Sequence, residues 1–224
     1  MNIKFLCRDD IAEEDSVVCV IDVISAFTTA AYLFSQGAKE IIIASSLKEA
    51  FEYKQEINGL CLIGEENGER IDGFHYHNSV LEFSKVDFNN KFVLLKTTSG
   101  TKGLINNWNA KLVLAASFVN ADATAKYLRD HIEKNNISTL SFIITNNFKS
   151  SEDFALAGYI CDKIFNRNNI LNSYLDIVKK SEYGKFIINT SLEIDEMDYV
   201  LNANKFDFVM LPNIYNNKKV LCKK

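Results

Sequence analysis

Asp22 stands at the end of "VVCVIDV" (17–23), an otherwise apolar run. A carboxylate in such a place needs a hydrogen-bond donor or a cation, because burying it unpaired is costly. Other reactive side chains also gather where apolar runs end. "LCLIG" (60–64) leads into Glu65 and Glu66, and "KFVLLKTT" (91–98) leads into "TTSGT" (97–101) and Lys102. "KLVLAAS" (111–117) is followed by Asn120, and "TNN" (145–147) by Glu152 and Asp153. Hydroxyls and main-chain N–H groups at a strand-to-helix turn form an anion cradle, and a helix N-terminus strengthens it. "TTSGT" fits that description, with Lys102 adding a full charge; capping of the next helix by Thr98 or Ser99 is the plainer alternative. Oxygen donors from two or three strand ends, such as Asp22 and Glu65, suit Mg2+, whereas Glu152 and Asp153 stand in a first helical turn, where acids are ordinary dipole complements. His75 and His77 form an HxH with no third ligand at short spacing, so zinc is not indicated. No Walker A loop, GxSxG elbow or dinucleotide-binding glycine fingerprint is present.

The elements that must position these groups can be read from periodicity. The run at 17–23 is β-branched and apolar on both faces, as expected of a strand covered on both sides. A helix follows over 25–37, ended by Gly37. Then come a strand at 40–45, a helix at 46–57 with a Ser46/Glu49 capping box, and a strand at 60–64. Ser79 and Glu82 repeat the capping-box spacing. Further on, strands at 91–98, 111–117 and 139–145 alternate with helices at 100–108, 120–135 and 150–165. This alternation predicts an α/β fold, a three-layer α/β/α arrangement around a mostly parallel sheet. In such sheets ligands bind beyond the carboxyl ends of the strands, where the groups above cluster.

The last third reads as helices over 169–184 and 191–205, with a weak strand "KFIIN" between them. Two short strands, "FDFVML" and "KKVLCK", close the chain. No linker rich in Gly, Pro or Ser interrupts the 224 residues, so one unit over 1–224 is expected. The segments "TTAAYLFSQGAKEIIIASS" and "TTSGTKGLINNWNAKLVLAASF" form a faint repeat, which βαβ units also produce by physics alone.

The net charge of −4 gives no basic footprint for nucleic acid. Met1–Cys7 is too short and polar for a signal peptide, and no apolar run is long enough for a membrane span. Five scattered cysteines without a CxxC pair fit reduced core thiols, hence a cytoplasmic location. Homo-oligomerisation is left open.

Five stretches in register, "VIDVISAFTTAA", "GEENGERIDGFHYHNS", "TTSGT", "SFVNADATAKYL" and "SSEDFALAG", together resemble the 2-phosphosulfolactate phosphatase (ComB-like) family. The resemblance runs from about residue 17 to 160 and weakens over 167–224. It implies an α/β/α protein and a Mg2+-dependent phosphatase whose substrate is an anionic three-carbon phosphosulfonate of the coenzyme M route. It also implies Asp22 and Glu65 as catalytic groups. Thr28, Thr29, Asn78, Ser79, Thr97, Thr98, Ser99, Gly100, Thr101, Lys102 and Asn120 would bind a small anionic phosphorylated substrate, and Asp22, Glu65, Glu152 and Asp153 would hold metal. The chain departs from the family pattern where arginines are usual: it has Ser25, Glu66 and Lys102. It also has His75, His77 and Val80 where the family carries Asp, Gly and Pro. Arginine forks grip phosphate and sulfonate through two parallel bonds, which serine, glutamate and lysine do not reproduce. Arg70 is a candidate replacement. The alternative to a phosphatase is therefore an altered or inactive paralogue that binds a different small ligand or a protein partner.

Overall fold

The structure is a computed structural model that describes residues 1–146, 151–190 and 196–224. Its first strand, β1 (Asn2–Cys7), precedes the expected series. β2 (Val17–Ile21), α1 (Ala26–Ser35), β3 (Ile41–Ile43), α2 (Leu47–Glu56) and β4 (Cys61–Glu66) follow. β5 (Glu69–Arg70), α3 (Val80–Phe83), β6 (Val93–Lys96), α4 (Gly100–Asn106) and β7 (Leu112–Ala116) come next. A short 3-10 turn (Phe118–Asn120) leads into α5 (Ala121–Asn135), β8 (Thr139–Ile144) and α6 (Ser151–Ile164). The chain ends with α7 (Leu171–Lys180), α8 (Glu182–Thr190), α9 (Glu196–Val200), β9 (Met210–Tyr215) and β10 (Lys218–Lys223).

The strands form one large, mostly parallel sheet in the order β1-β8-β2-β7-β9-β10-β3-β6-β4-β5. β1, β8, β2 and β7 pair parallel, and so do β3, β6 and β4. The antiparallel hairpin β9–β10 lies between these two blocks. Its two-residue turn uses Asn216 and Asn217, both at positive φ, the backbone that matches strand twist in a tight hairpin. Thus the weakly matching C-terminal part supplies strands to the middle of the sheet.

Side chains of the parallel strands alternate between two apolar layers. Val18 and Val20 of β2 join α1, Leu104 of α4 and residues of β3 and β6 in one cluster. Val17, Cys19 and Ile21 join α5 and α6 in the second. Leu94 of β6 faces α2 with Leu62 and Ala50 in the third. The layers are therefore α/β/α, with α1 and α4 shared by both blocks. Phe27, Leu33 and Phe34 of α1 are fully buried, each contributing roughly 1.5–3 kcal/mol by leaving water.

Three local expectations are corrected. "KFIIN" lies within helix α8, where Tyr183, Phe186, Ile187 and Thr190 recur at helical spacing; its period is helical, which so short a run conceals. Ser79 and Glu82 do not form a capping box. Ser79 donates instead to Glu196 (2.6 Å), and Glu82 Oε2 accepts from His77 N (2.7 Å). At Ser46 half the box forms: its hydroxyl accepts from Glu49 N (3.2 Å), but the Glu49 carboxylate takes Ser45 N (2.6 Å). The expected helix starts at 150 and 191 fall outside the described residues.

Candidate functional site

The carboxyl ends of β2, β4 and β6 bring Asp22, Glu65 and the 97–101 loop together. Asp22 directly follows β2 and is buried. Its Oδ1 accepts from Ala26 N at the start of α1 (3.1 Å). Its Oδ2 packs on Gly100, where an added Cβ would stand 2.7 Å from that oxygen and 2.6 Å from Ala26 Cβ. Burial, together with the charges of Glu65 and Glu152, pushes the Asp22 carboxyl up to about 7, against the pull of the Ala26 N–H.

Glu65 is the clamp of the neighbouring loop. Its Oε1 accepts from Thr98 N (2.6 Å), and its Oε2 from Thr98 Oγ1 (2.9 Å) and Gly68 N (2.7 Å). The Thr98 hydroxyl in turn accepts from Asn67 N (2.6 Å). β4 approaches β6 so closely that a Cβ on Gly64 would stand 1.9 Å from Lys96 O. A glycine is therefore required just before the acid that holds the loop.

Within the loop, Thr97 and Thr101 spend their hydroxyls on each other's backbone. Thr101 N donates to Thr97 Oγ1 (3.1 Å), Thr97 N to Thr101 Oγ1 (3.0 Å), and Thr101 Oγ1 to Thr97 O (2.7 Å). Capping therefore falls to this pair, and neither Thr98 nor Ser99 performs it. Ser99 accepts from Arg8 Nη1 (2.5 Å), a cation that motif spacing had not singled out. Treating "IKFLC" as a strand would have placed Arg8 at the same carboxyl edge.

Several expected substrate-binding groups have other work. Thr28 is buried in α1, donates to Val23 O (2.8 Å) and meets the Ser117 hydroxyl. Asn120 is fully buried; its Oδ1 accepts from Ser117 N (3.0 Å) and its Nδ2 donates to Phe208 O (3.4 Å). Ser79 is engaged by Glu196, whose carboxylate also accepts from Val80 N (2.9 Å) and Leu81 N (3.2 Å). Lys102 is half exposed and paired with Asp9. These four already have framework or ion-pair partners within the chain. Thr29 Oγ1 and Asn78 Oδ1, by contrast, are buried without a hydrogen-bond partner. Ser25, at a position where an arginine is usual, donates to Asn78 O (2.8 Å). Glu66 is paired with Lys96 (2.9 Å), and Arg70 with Glu82.

The two acids of α6 divide their duties. Asp153 is fully buried and anchors two strand ends: its Oδ1 accepts from Val23 N (2.9 Å) and its Oδ2 from Thr145 N (3.2 Å). Burial and the charges of Asp22 and Glu152 hold its carboxyl well above the usual range. Asp153 is thus a backbone anchor, a correction to its expected place among the metal ligands. Glu152 is equally buried, but its Oε1 has no hydrogen-bond partner. Tyr183 of α8 stands near these groups. Burial foremost, then the charges of Glu152, Glu182 and Asp22, push its phenol up, and Arg8 opposes them.

Among the described residues, no three His, Cys, Asp or Glu side chains converge closely enough to cage a metal ion. Mg2+ needs no such cage, since it takes one or two carboxylates and completes its shell with water and substrate oxygens. Asp22 and Glu152 meet that requirement. They are hard oxygen donors within reach of each other's charge, and one buried Glu152 oxygen lacks a donor. The histidines serve the loop: His75 Nδ1 accepts from Leu62 N (2.9 Å) and His77 Nε2 lies 3.3 Å from Gly68 O. A cavity of about 610 Å³ lies on the other flank of the 97–101 loop, lined by Ser45, Lys48, Glu66, Lys96 and Thr98 among others, and none of the four acids expected to bind metal reaches it.

Comparison with known proteins shows the family of the chain. The family model described as 2-phosphosulpholactate phosphatase matches residues 5–213. A protein of Carboxydothermus hydrogenoformans named "Probable 2-phosphosulfolactate phosphatase" is 33% identical over 222 residues, covering 93% of this chain and 91% of that protein. Proteins with the same name from Clostridium perfringens strain SM101 and from Thermotoga maritima are 36% and 34% identical. They cover 90% and 79% of this chain, and 79% and 80% of their own lengths.

Proposed function

The chain belongs to the 2-phosphosulpholactate phosphatase family, and from that premise we propose that it is a Mg2+-dependent phosphoric monoester hydrolase acting on a small anionic phosphate ester. The observation that carries this reading is the meeting of Asp22, the Glu65-clamped 97–101 loop and Glu152 at one sheet edge. Bound there, Mg2+ would neutralise charge on the phosphoryl oxygens and polarise phosphorus toward attack.

The chain's own residues supply the rest. Asp22 and Glu152 would hold the metal. The raised carboxyl of Asp22 belongs to the metal-free site, and a bound cation would favour its ionised, ligating form. Glu65 fixes Thr98 and thereby the loop that faces Asp22 across Gly100. Thr29 and Asn78 keep buried polar atoms without hydrogen-bond partners.

The test is phosphate release from 2-phosphosulfolactate and a panel of small phosphate esters, with and without Mg2+. Turnover that stops in EDTA and returns with Mg2+ is expected. No turnover of any ester at micromolar enzyme would overturn the reading. One observation favours the alternative of an altered paralogue: the residues standing where arginines are usual are tied up, Ser25 to Asn78, Glu66 to Lys96 and Lys102 to Asp9. Mg2+ binding that survives in Asp22→Asn, without ester turnover, would support that alternative.

A further inference from the structure

Arg8 follows β1 at the edge where the acids lie. Its Nη1 reaches Ser99 Oγ at 2.5 Å, across 91 residues of sequence. Its Nε is buried with no hydrogen-bond partner, and the exposed Asp9 Oδ2 stands 3.7 Å away. The segment that carries Arg8 is fixed to α4. Asn106 Nδ2 donates to Arg8 O (2.8 Å), and Asn107 binds Ala12 N (2.8 Å) and Asp10 O (3.2 Å). The 97–101 loop opens the same helix, so guanidinium and loop form one rigid unit.

Among the described residues, three nearby cations are paired with carboxylates: Lys102 with Asp9, Lys96 with Glu66 at 2.9 Å and Arg70 with Glu82. Arg8 has a neutral hydroxyl as its close partner, and its Nε edge faces the exposed Asp9 carboxylate at 3.7 Å, outside hydrogen-bond distance. Its charge also reaches Tyr183, on which Asp22 and Glu152 act as well. A planar guanidinium matches a tetrahedral oxyanion, which it grips through two parallel bonds once the loosely held Asp9 carboxylate gives way.

Resting on the hydrolase reading of this site, we infer that Arg8 is the substrate-binding guanidinium of this chain, recognising a tetrahedral oxyanion, phosphoryl or sulfonate, beside Ser99. It takes over the anion recognition that Ser25, Glu66 and Lys102 do not provide. Asp9 is its competitor, an exposed carboxylate that an arriving anion displaces from the Nε edge.

The experiment is calorimetric titration of the full chain with inorganic phosphate and, separately, methanesulfonate. Wild type, Arg8→Gln, Arg8→Lys, Asp9→Asn and the Asp9→Asn/Arg8→Gln pair are compared. Arg8→Gln is expected to weaken one or both anions about tenfold or more, and Arg8→Lys at least about threefold, since lysine cannot fork. The anion that weakens identifies which end of the substrate Arg8 holds. Asp9→Asn is expected to tighten binding, and that gain must vanish once Arg8 is also replaced. A gain that persists makes Lys102 the anion's partner and overturns the proposal, as do unchanged affinities in Arg8→Gln or no binding of either anion by wild type. If Arg8→Gln loses its cooperative unfolding transition, Arg8→Lys carries the test, and wild-type affinity there overturns the proposal. Ester turnover by wild type is measured alongside. Turnover with unaltered anion affinity in the Arg8 variants removes Arg8 alone, whereas Arg8-dependent binding without turnover removes the hydrolase reading alone.

Discussion

The Asp22 carboxylate and Gly100 touch so closely that no side chain fits between them: a Cβ on Gly100 would stand 2.7 Å from Asp22 Oδ2. The contact joins the end of β2 to the first turn of α4, and so the acid to the loop it faces. Gly100→Ala must push one of the two aside, because Ala26 Cβ closes the other side at 2.6 Å. Overpacking of this kind costs about 1–3 kcal/mol. A fall in melting temperature of several degrees and a loss of most ester turnover are expected, by thermal unfolding and phosphate release. A fully active variant would mean that the loop does not need this contact.

Asp22→Asn should stabilise the protein while abolishing turnover. The carboxyl titrates near 7 in the fold against 3.8 when unperturbed, so the folded state holds its proton where the unfolded chain has lost it. Ionising it in place therefore costs stability as pH rises from about 4 through about 7, and Asn avoids that cost. In EDTA, the melting temperature of the variant should clearly exceed wild type at pH 8 and match it at pH 4. A wild type more stable than the variant at pH 8 would contradict this sign.

Glu65→Gln replaces one of two accepting oxygens by a donor. Thr98 N and Oγ1 and Gly68 N cannot all remain satisfied. Leaving a partly buried donor unpaired costs about 1 kcal/mol, so thermal unfolding should begin a few degrees earlier and turnover should drop with it. Unchanged stability would show that Glu65 is not the clamp of this loop.

Mg2+ should raise the melting temperature in proportion to the logarithm of its concentration, reaching about 2.7 kcal/mol of added stability at one hundred times its Kd. The rise should be absent in Asp22→Asn and reduced in Glu152→Gln, whose wild-type carboxylate keeps one buried oxygen unpartnered. A rise of the same size in both variants would place the metal elsewhere.

Much of the scaffold was legible in the sequence. The unbroken apolar run of β2 announced a strand covered on both faces, and its alternate residues do enter two different layers. The alternation of strands and helices gave the α/β/α layering, and Asp22, Glu65 and the 97–101 loop could be placed at one edge. The duties of individual hydroxyls were not legible. Thr28 and Thr29 are neighbours of one residue type, yet Thr28 is bonded to Val23 and Ser117 while Thr29 keeps an unpartnered oxygen. Nor could the sequence show that β9 and β10 enter the sheet between its two parallel blocks.

What the sequence determined by itself is what short-range physics controls: apolar periodicity, the glycines at close approaches, and residue types at strand ends. The tertiary structure decided which polar groups remain free for a ligand. Those outcomes depend on partners far away in the chain. Arg8 meets Ser99 across 91 residues, Glu65 meets Thr98 across 33, and Glu196 takes Ser79 across 117. A buried polar atom must find a partner, and only the folded chain determines whether that partner comes from the protein or is left for the substrate to provide.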